Sequence, residues 1–144
     1  MSTDRADAGV LVDSHLWIEF LSGETSSDVL EVTRLIRKGS VVIAGPVVYE
    51  LLVSPRQEGQ RQYLQSRLRA FRLLSTTAEV WFQAVELGRS PGVAARRVPF
   101  SDVLTAAHAQ VHGCSVFTRD AHFDVFAGLR RHGVRASGNP RRRK

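Results

Sequence analysis

Four acidic side chains stand where they could hold a cation together. Asp13 ends a short apolar run, Val10-Leu11-Val12, and Asp120 closely follows another that finishes at Phe117. Glu50 lies inside the apolar segment 47–52, and Asp102 opens an alanine-rich stretch. Each acid is hemmed in by apolar neighbours: Val12 and Leu16, Tyr49 and Leu51, Phe100 and Val103, Phe117 and Phe123. Like charges gathered in a partly buried cleft repel one another and raise their pKa values, and a cation removes that penalty. An all-oxygen donor set suits Mg²⁺, with Mn²⁺ as a substitute. Such an ion acidifies bound water and neutralises charge building on a phosphodiester. The plainer alternative, separate helix-capping acids, fits Asp102 and Asp120 well and Glu50 poorly; for Asp13 taken alone, capping and ligand stand level.

The elements that must bring these acids together are legible from periodicity. Short β-branched or apolar runs predict strands at 10–12, 41–44, 71–74 and 114–117, with a weak fifth at 133–136. Helical spacing predicts helices over 14–21, 25–38, 46–54, 57–70, 101–112 and 121–127. Thr76 and Glu79 have capping-box spacing for a helix to residue 89. Residues 90–99, with Pro91 and Gly92, read as a loop. Strands alternating with helices imply an α/β fold: an open parallel sheet of four to five strands with helices on both faces. The chain is too short and its spacing too irregular for a closed eight-fold barrel. In an open sheet of this kind ligands bind beyond the carboxyl ends of the strands, which is the edge where all four acids fall. The expected organisation is a disordered lead over 1–8, one domain over 9–136, and a basic, disordered tail over 137–144.

The chain has 144 residues and a net charge of +6, with a pI near 10.6. Nearly all the positive charge is arginine, since Lys38 and Lys144 are the only lysines. Arginine binds phosphate bidentately, so the surface suits nucleic acid; a GC-rich coding genome would give the same bias. No apolar stretch approaches the ~18 residues that a membrane helix needs. The polar N-terminus and the single Cys114 point to a cytoplasmic protein, with Cys114 as a small core residue.

Four segments, Val-Asp-Ser-His-Leu-Trp-Ile-Glu at 12–19, Val-Val-Tyr-Glu-Leu-Leu at 47–52, Phe-Ser-Asp-Val-Leu-Thr-Ala-Ala-His-Ala at 100–109 and Thr-Arg-Asp-Ala-His-Phe-Asp at 118–124, resemble the PIN domain. The likeness is to VapC-type toxins of bacterial toxin–antitoxin pairs and spans roughly residues 10–134. It implies a Mg²⁺- or Mn²⁺-dependent ribonuclease, commonly a homodimer, held inactive by a cognate VapB-type antitoxin. By the resemblance, Asp13, Glu50, Asp102 and Asp120 match the family's acidic quartet, with Asp13, Asp102 and Asp120 as metal ligands. Ser14 matches a small hydroxyl residue that helps to hold the metal or its water, and Asp124 an additional acid ranked below the four. His15 departs from the small or polar residue usual at its position.

Arg119, Arg96 and Arg97 are candidates for holding backbone phosphates, with ordinary surface charge as the alternative. His108 and His112 have zinc-compatible helical spacing but no third ligand, which favours a surface or core-edge role. His122 neighbours the acids without an assigned part. Trp17 and Trp81 read as core or dimer contacts. A receiver-type phosphoacceptor would need a lysine near the last strand, where only the terminal Lys144 exists. A haloacid-type phosphatase would need an Asp where His15 stands. The remaining alternative is a non-catalytic PIN-like module that binds RNA or protein.

Overall fold

The computed structural model describes residues 8–55 and 57–133. The chain enters the sheet through Gly9, whose φ of 111° and closeness to Val42 admit no side chain: a Cβ would stand 2.9 Å from Val42 Cγ1. Strand β1 (Val10–Val12) follows, then α1 (Ser14–Leu21), α2 (Ser27–Lys38), β2 (Val41–Ile43) and α3 (Gly45–Val53). After these come α4 (Glu58–Leu68), β3 (Arg72–Leu73), α5 (Ala78–Gly88) and α6 (Pro91–Ala95). Helix α7 (Phe100–His112), β4 (Ser115–Phe117) and a short 3₁₀ helix (Ala121–Val125) complete the described chain.

The four strands are parallel in the order β3-β2-β1-β4. From β1 the chain builds outward through β2 and β3, then crosses back to place β4 on the other side. The reversal of strand order therefore falls between β1 and β4, where a crevice opens at the carboxyl ends. Every residue of β1 and β2 is buried, as continuous apolar runs covered on both faces should be. The core joins these strands to Leu16, Trp17, Val32, Leu35, Val47, Val80 and the alanine-rich face of α7. Ala106, Ala107 and Ala109 are fully buried, and α5 packs along α7.

Several boundaries differ from the sequence reading. Helix α2 starts at Ser27 because the Ser26 hydroxyl caps it by accepting from Val29 N. Thr77, one residue later than expected, caps α5 by accepting from Val80 N. That leaves Thr76 for another partner, and the box with Glu79 does not form. Pro91 opens a five-residue helix in the expected loop, too short to leave a periodic signal. The weak fifth strand expected over 133–136 lies, beyond residue 133, outside the described residues; just before it, Val116 makes an isolated parallel bridge to Arg131. The expected lead and tail lie outside them too, except Ala8, whose carbonyl accepts from Arg72 Nη2 and the buried Cys114 thiol. Trp17, a candidate for a core or dimer contact, is buried in the monomer and packs edge-on against Phe20 and Phe71. Trp81 instead stacks on Phe100 at the surface.

Candidate metal centre

Asp13 leaves β1 and caps α1 in the same residue. Its Oδ1 accepts from Ser14 N at 2.8 Å, so the capping reading of this acid is correct. Its Oδ2 accepts from the Thr118 hydroxyl, also at 2.8 Å, in a buried contact. Thr118 Oγ1 in turn accepts from Asp120 N at 3.0 Å. One hydroxyl thus links the acid after β1 to the acid after β4, across the point where the strand order reverses. Ser14 Oγ donates to Glu50 Oε1 at 2.8 Å, which fixes the acid on α3 against the start of α1. Asp102 sits in the first turn of α7, where unpaired backbone N–H groups favour a carboxylate.

These side chains converge. Asp13, Ser14, Glu50, Asp102 and Asp120 line one cleft of about 640 Å³, together with His15, Pro99, Ser101, Arg119 and His122. Burial is the chief cause that pushes the Asp13 carboxyl above its ordinary value, reinforced by the charges of Glu50 and Asp120. Burial, then the charges of Asp13, Asp120 and Glu50, pushes Asp102 up to about 6. The structure therefore holds the unfavourable concentration of negative charge that a cation would relieve.

The sequence as a whole matches the PIN domain family over residues 10–129. The chain is a PIN-domain protein. It is 28% identical over 126 residues to VapC ribonuclease Mb1587 of Mycobacterium bovis, covering 83% of this chain and 92% of that protein. Ribonuclease VapC11 of Mycobacterium tuberculosis is similar to the same extent. Among solved structures, VapBC2 from Rickettsia felis bound to a DNA fragment from its promoter superposes with a TM-score of 0.68. It is 17% identical and covers 84% of this chain and 95% of its own. FitAcB from Neisseria gonorrhoeae gives 0.64 at 19% identity, over 84% and 94%. These likenesses show a shared fold.

Not every residue singled out in the sequence reaches this PIN-domain cleft. Asp124 does not line it; its carboxylate is exposed and pairs with Arg131 Nη1 at 2.8 Å. Arg96 and Arg97 are exposed at the end of α6, with Arg97 in a left-handed conformation, φ 53°. Arg119 lines the cleft, but its guanidinium is paired with Glu19 and Asp28. His108 is no surface residue: it is fully buried, between Leu104 O and the Thr76 hydroxyl. Sequence reasoning gave no role to Thr118, whose signal was its place two residues before Asp120. His122 was noticed only as a neighbour, and its ring faces Asp102 and Asp120.

Proposed function

We propose that this chain is a metal-dependent endoribonuclease that hydrolyses RNA phosphodiester bonds as the toxin of a toxin–antitoxin pair. The observation that carries the reading is the meeting of Asp13, Glu50, Asp102 and Asp120 in one cleft of a PIN domain. The donor set is carboxylate oxygen, and burial and mutual repulsion raise two of the four acids. Both features fit a divalent ion of the Mg²⁺ or Mn²⁺ kind. Asp13, Asp102 and Asp120 would hold it, with Glu50 and Ser14 supporting through water. When bound, such an ion activates water and offsets the charge that develops on the phosphodiester.

The chain's own residues set the geometry. Thr118 holds Asp13 Oδ2 and so orients the carboxylate into the cleft. Ser14 holds Glu50 in the same way, leaving its other oxygen for a water. Arg119 stands at the rim, where a backbone phosphate could draw it from its acidic partners. The kinship with VapC ribonucleases and the fold shared with VapBC2 and FitAcB support an antitoxin of the VapB type as partner. An apolar surface of Trp81, Phe82 and Val85 on α5, with Phe100, supports self-association; light scattering on the purified chain tests for a homodimer. No helix among the described residues is long and apolar enough to cross a membrane.

The decisive assay compares wild type with Asp13→Asn and Asp102→Asn on a structured RNA pool, in Mg²⁺, Mn²⁺ and EDTA. The expected result is metal-dependent cleavage by wild type that both variants and EDTA abolish. Folded, antitoxin-free protein that binds RNA without cutting it would establish a non-catalytic binding module instead.

A further inference from the structure

The ring of His122 is placed unlike that of a surface histidine. Its Nδ1 is shut off from solvent and has no hydrogen-bond partner among the described residues. It lies 3.4 Å from Asp102 Oδ2 and 3.3 Å from Asp120 Oδ1. Both separations exceed the roughly 2.7–3.2 Å of a good N–H···O bond. One donor atom from each of the three residues falls within 4.8 Å of the others.

The backbone holds the ring there. Asp120 caps the 3₁₀ helix by accepting from His122 N at 2.9 Å. Phe123, the next residue, is buried in the core. The turn is therefore anchored on both sides of His122, and its ring faces the acids. A buried polar atom without a partner is destabilising. An ion between the two carboxylates would supply that partner, since neutral imidazole offers Nδ1 as a lone-pair donor.

We propose that His122 Nδ1 is a nitrogen ligand of the divalent ion, beside Asp102 and Asp120, and that it makes the site prefer Mn²⁺ to Mg²⁺. The inference rests on the metal-dependent reading of the same cleft. It widens the gap between the two ions beyond what carboxylates alone would give. Mg²⁺ keeps water and carboxylate oxygens and takes nitrogen poorly, whereas first-row transition ions accept imidazole.

The test uses the full chain freed of metal, titrated separately with Mn²⁺ and Mg²⁺ by calorimetry. Pulsed electron paramagnetic resonance of the Mn²⁺ form reads directly bonded ¹⁴N. Wild type is expected to bind Mn²⁺ at least about tenfold more tightly than Mg²⁺ and to show ¹⁴N coupling. His122→Ala should lose the coupling and weaken Mn²⁺ binding on the order of 10- to 100-fold, as changes around metal sites do. Its Mg²⁺ affinity should stay within about threefold. Because His15 also lines the cleft, loss of the signal in the variant is what assigns it to His122. His122→Asp, which returns an oxygen donor, should bind both ions without ¹⁴N coupling.

Mn²⁺-loaded wild type without ¹⁴N coupling, or unchanged Mn²⁺ affinity in His122→Ala, overturns the proposal. The acidic site itself would still stand if Asp102→Asn abolished binding. Wild type that binds neither ion overturns both.

Discussion

Thr118 donates its hydroxyl hydrogen to Asp13 Oδ2 inside the protein, and Thr118 Oγ1 itself accepts from Asp120 N. The contact joins residues 105 positions apart in sequence. Neither acid is fixed by its own strand alone. Thr118→Val keeps the shape and removes both bonds, leaving Asp13 Oδ2 and Asp120 N without these partners.

The expected cost to stability is about 1–3 kcal/mol, the range for unpairing buried polar groups. RNA cleavage and metal affinity should fall by roughly 10- to 100-fold, the usual consequence of losing a residue that orients a ligand. Thermal melting and calorimetric metal titration would measure the two effects separately. A variant that melts earlier but binds metal as wild type does would make Thr118 purely structural.

Asp102 is destabilising while the cleft holds no cation. Its carboxyl titrates at about 6 against an ordinary 3.8, chiefly through burial. A raised pKa means that the folded state holds the proton more tightly than the unfolded chain. The associated stability is present in full below about pH 4 and is lost as pH rises through about 6. In EDTA at pH 7.5, Asp102→Asn should therefore be more stable than wild type, by about 1–3 kcal/mol. The gap should close toward pH 4. Added divalent ion should reverse the order, because only wild type gains stability from binding. Melting curves across pH, with and without metal, decide it.

His108 carries a pH response of the opposite sign. Leu104 O can only accept, so Nδ1 bears the hydrogen and Nε2 accepts from the Thr76 hydroxyl. Burial, with a smaller push from His112, holds the imidazole below its ordinary 6.5. Here the unfolded chain takes up the proton first. Stability is full above about 6.5 and declines as pH falls below it. Wild type should lose melting temperature between pH 7 and pH 5 more steeply than His108→Gln, which has no proton to gain. Parallel slopes would show that other groups govern the acid limb.

The meeting of Asp13, Asp102 and Asp120 was legible because each follows a strand run or heads a helix, and an open parallel sheet gathers such positions at one edge. Glu50 lies further along, in the second turn of α3, where Ser14 holds it against the cleft. Asp124 shows the limit of that logic. Four residues past Asp120, it turns away to meet Arg131, and the 3₁₀ helix that turns it leaves no periodic signal. Adjacent Thr76 and Thr77 could each have capped α5. Only the buried His108 ring, arriving from α7, assigns Thr76 elsewhere. Thr118 and His122 escaped for the same reason: their roles depend on which atoms face them across the fold, and spacing along the chain does not carry that.

Arg119 allows the RNA reading to be tested apart from the metal. It is about half exposed, and its pairs with Glu19 and Asp28 tie the segment after β4 to α1 and α2. Exposed ion pairs contribute about 0–1 kcal/mol, so Arg119→Ala should scarcely change the melting temperature. If the guanidinium exchanges those acids for a backbone phosphate when RNA arrives, the KM for RNA should rise about three- to tenfold with kcat little changed. The salt dependence of RNA binding should also become shallower, by roughly one counterion. Steady-state cleavage at two or three salt concentrations would read both. An unchanged KM and salt slope would confine Arg119 to bracing the two helices, and the phosphate contact would have to come from elsewhere on the arginine-rich surface.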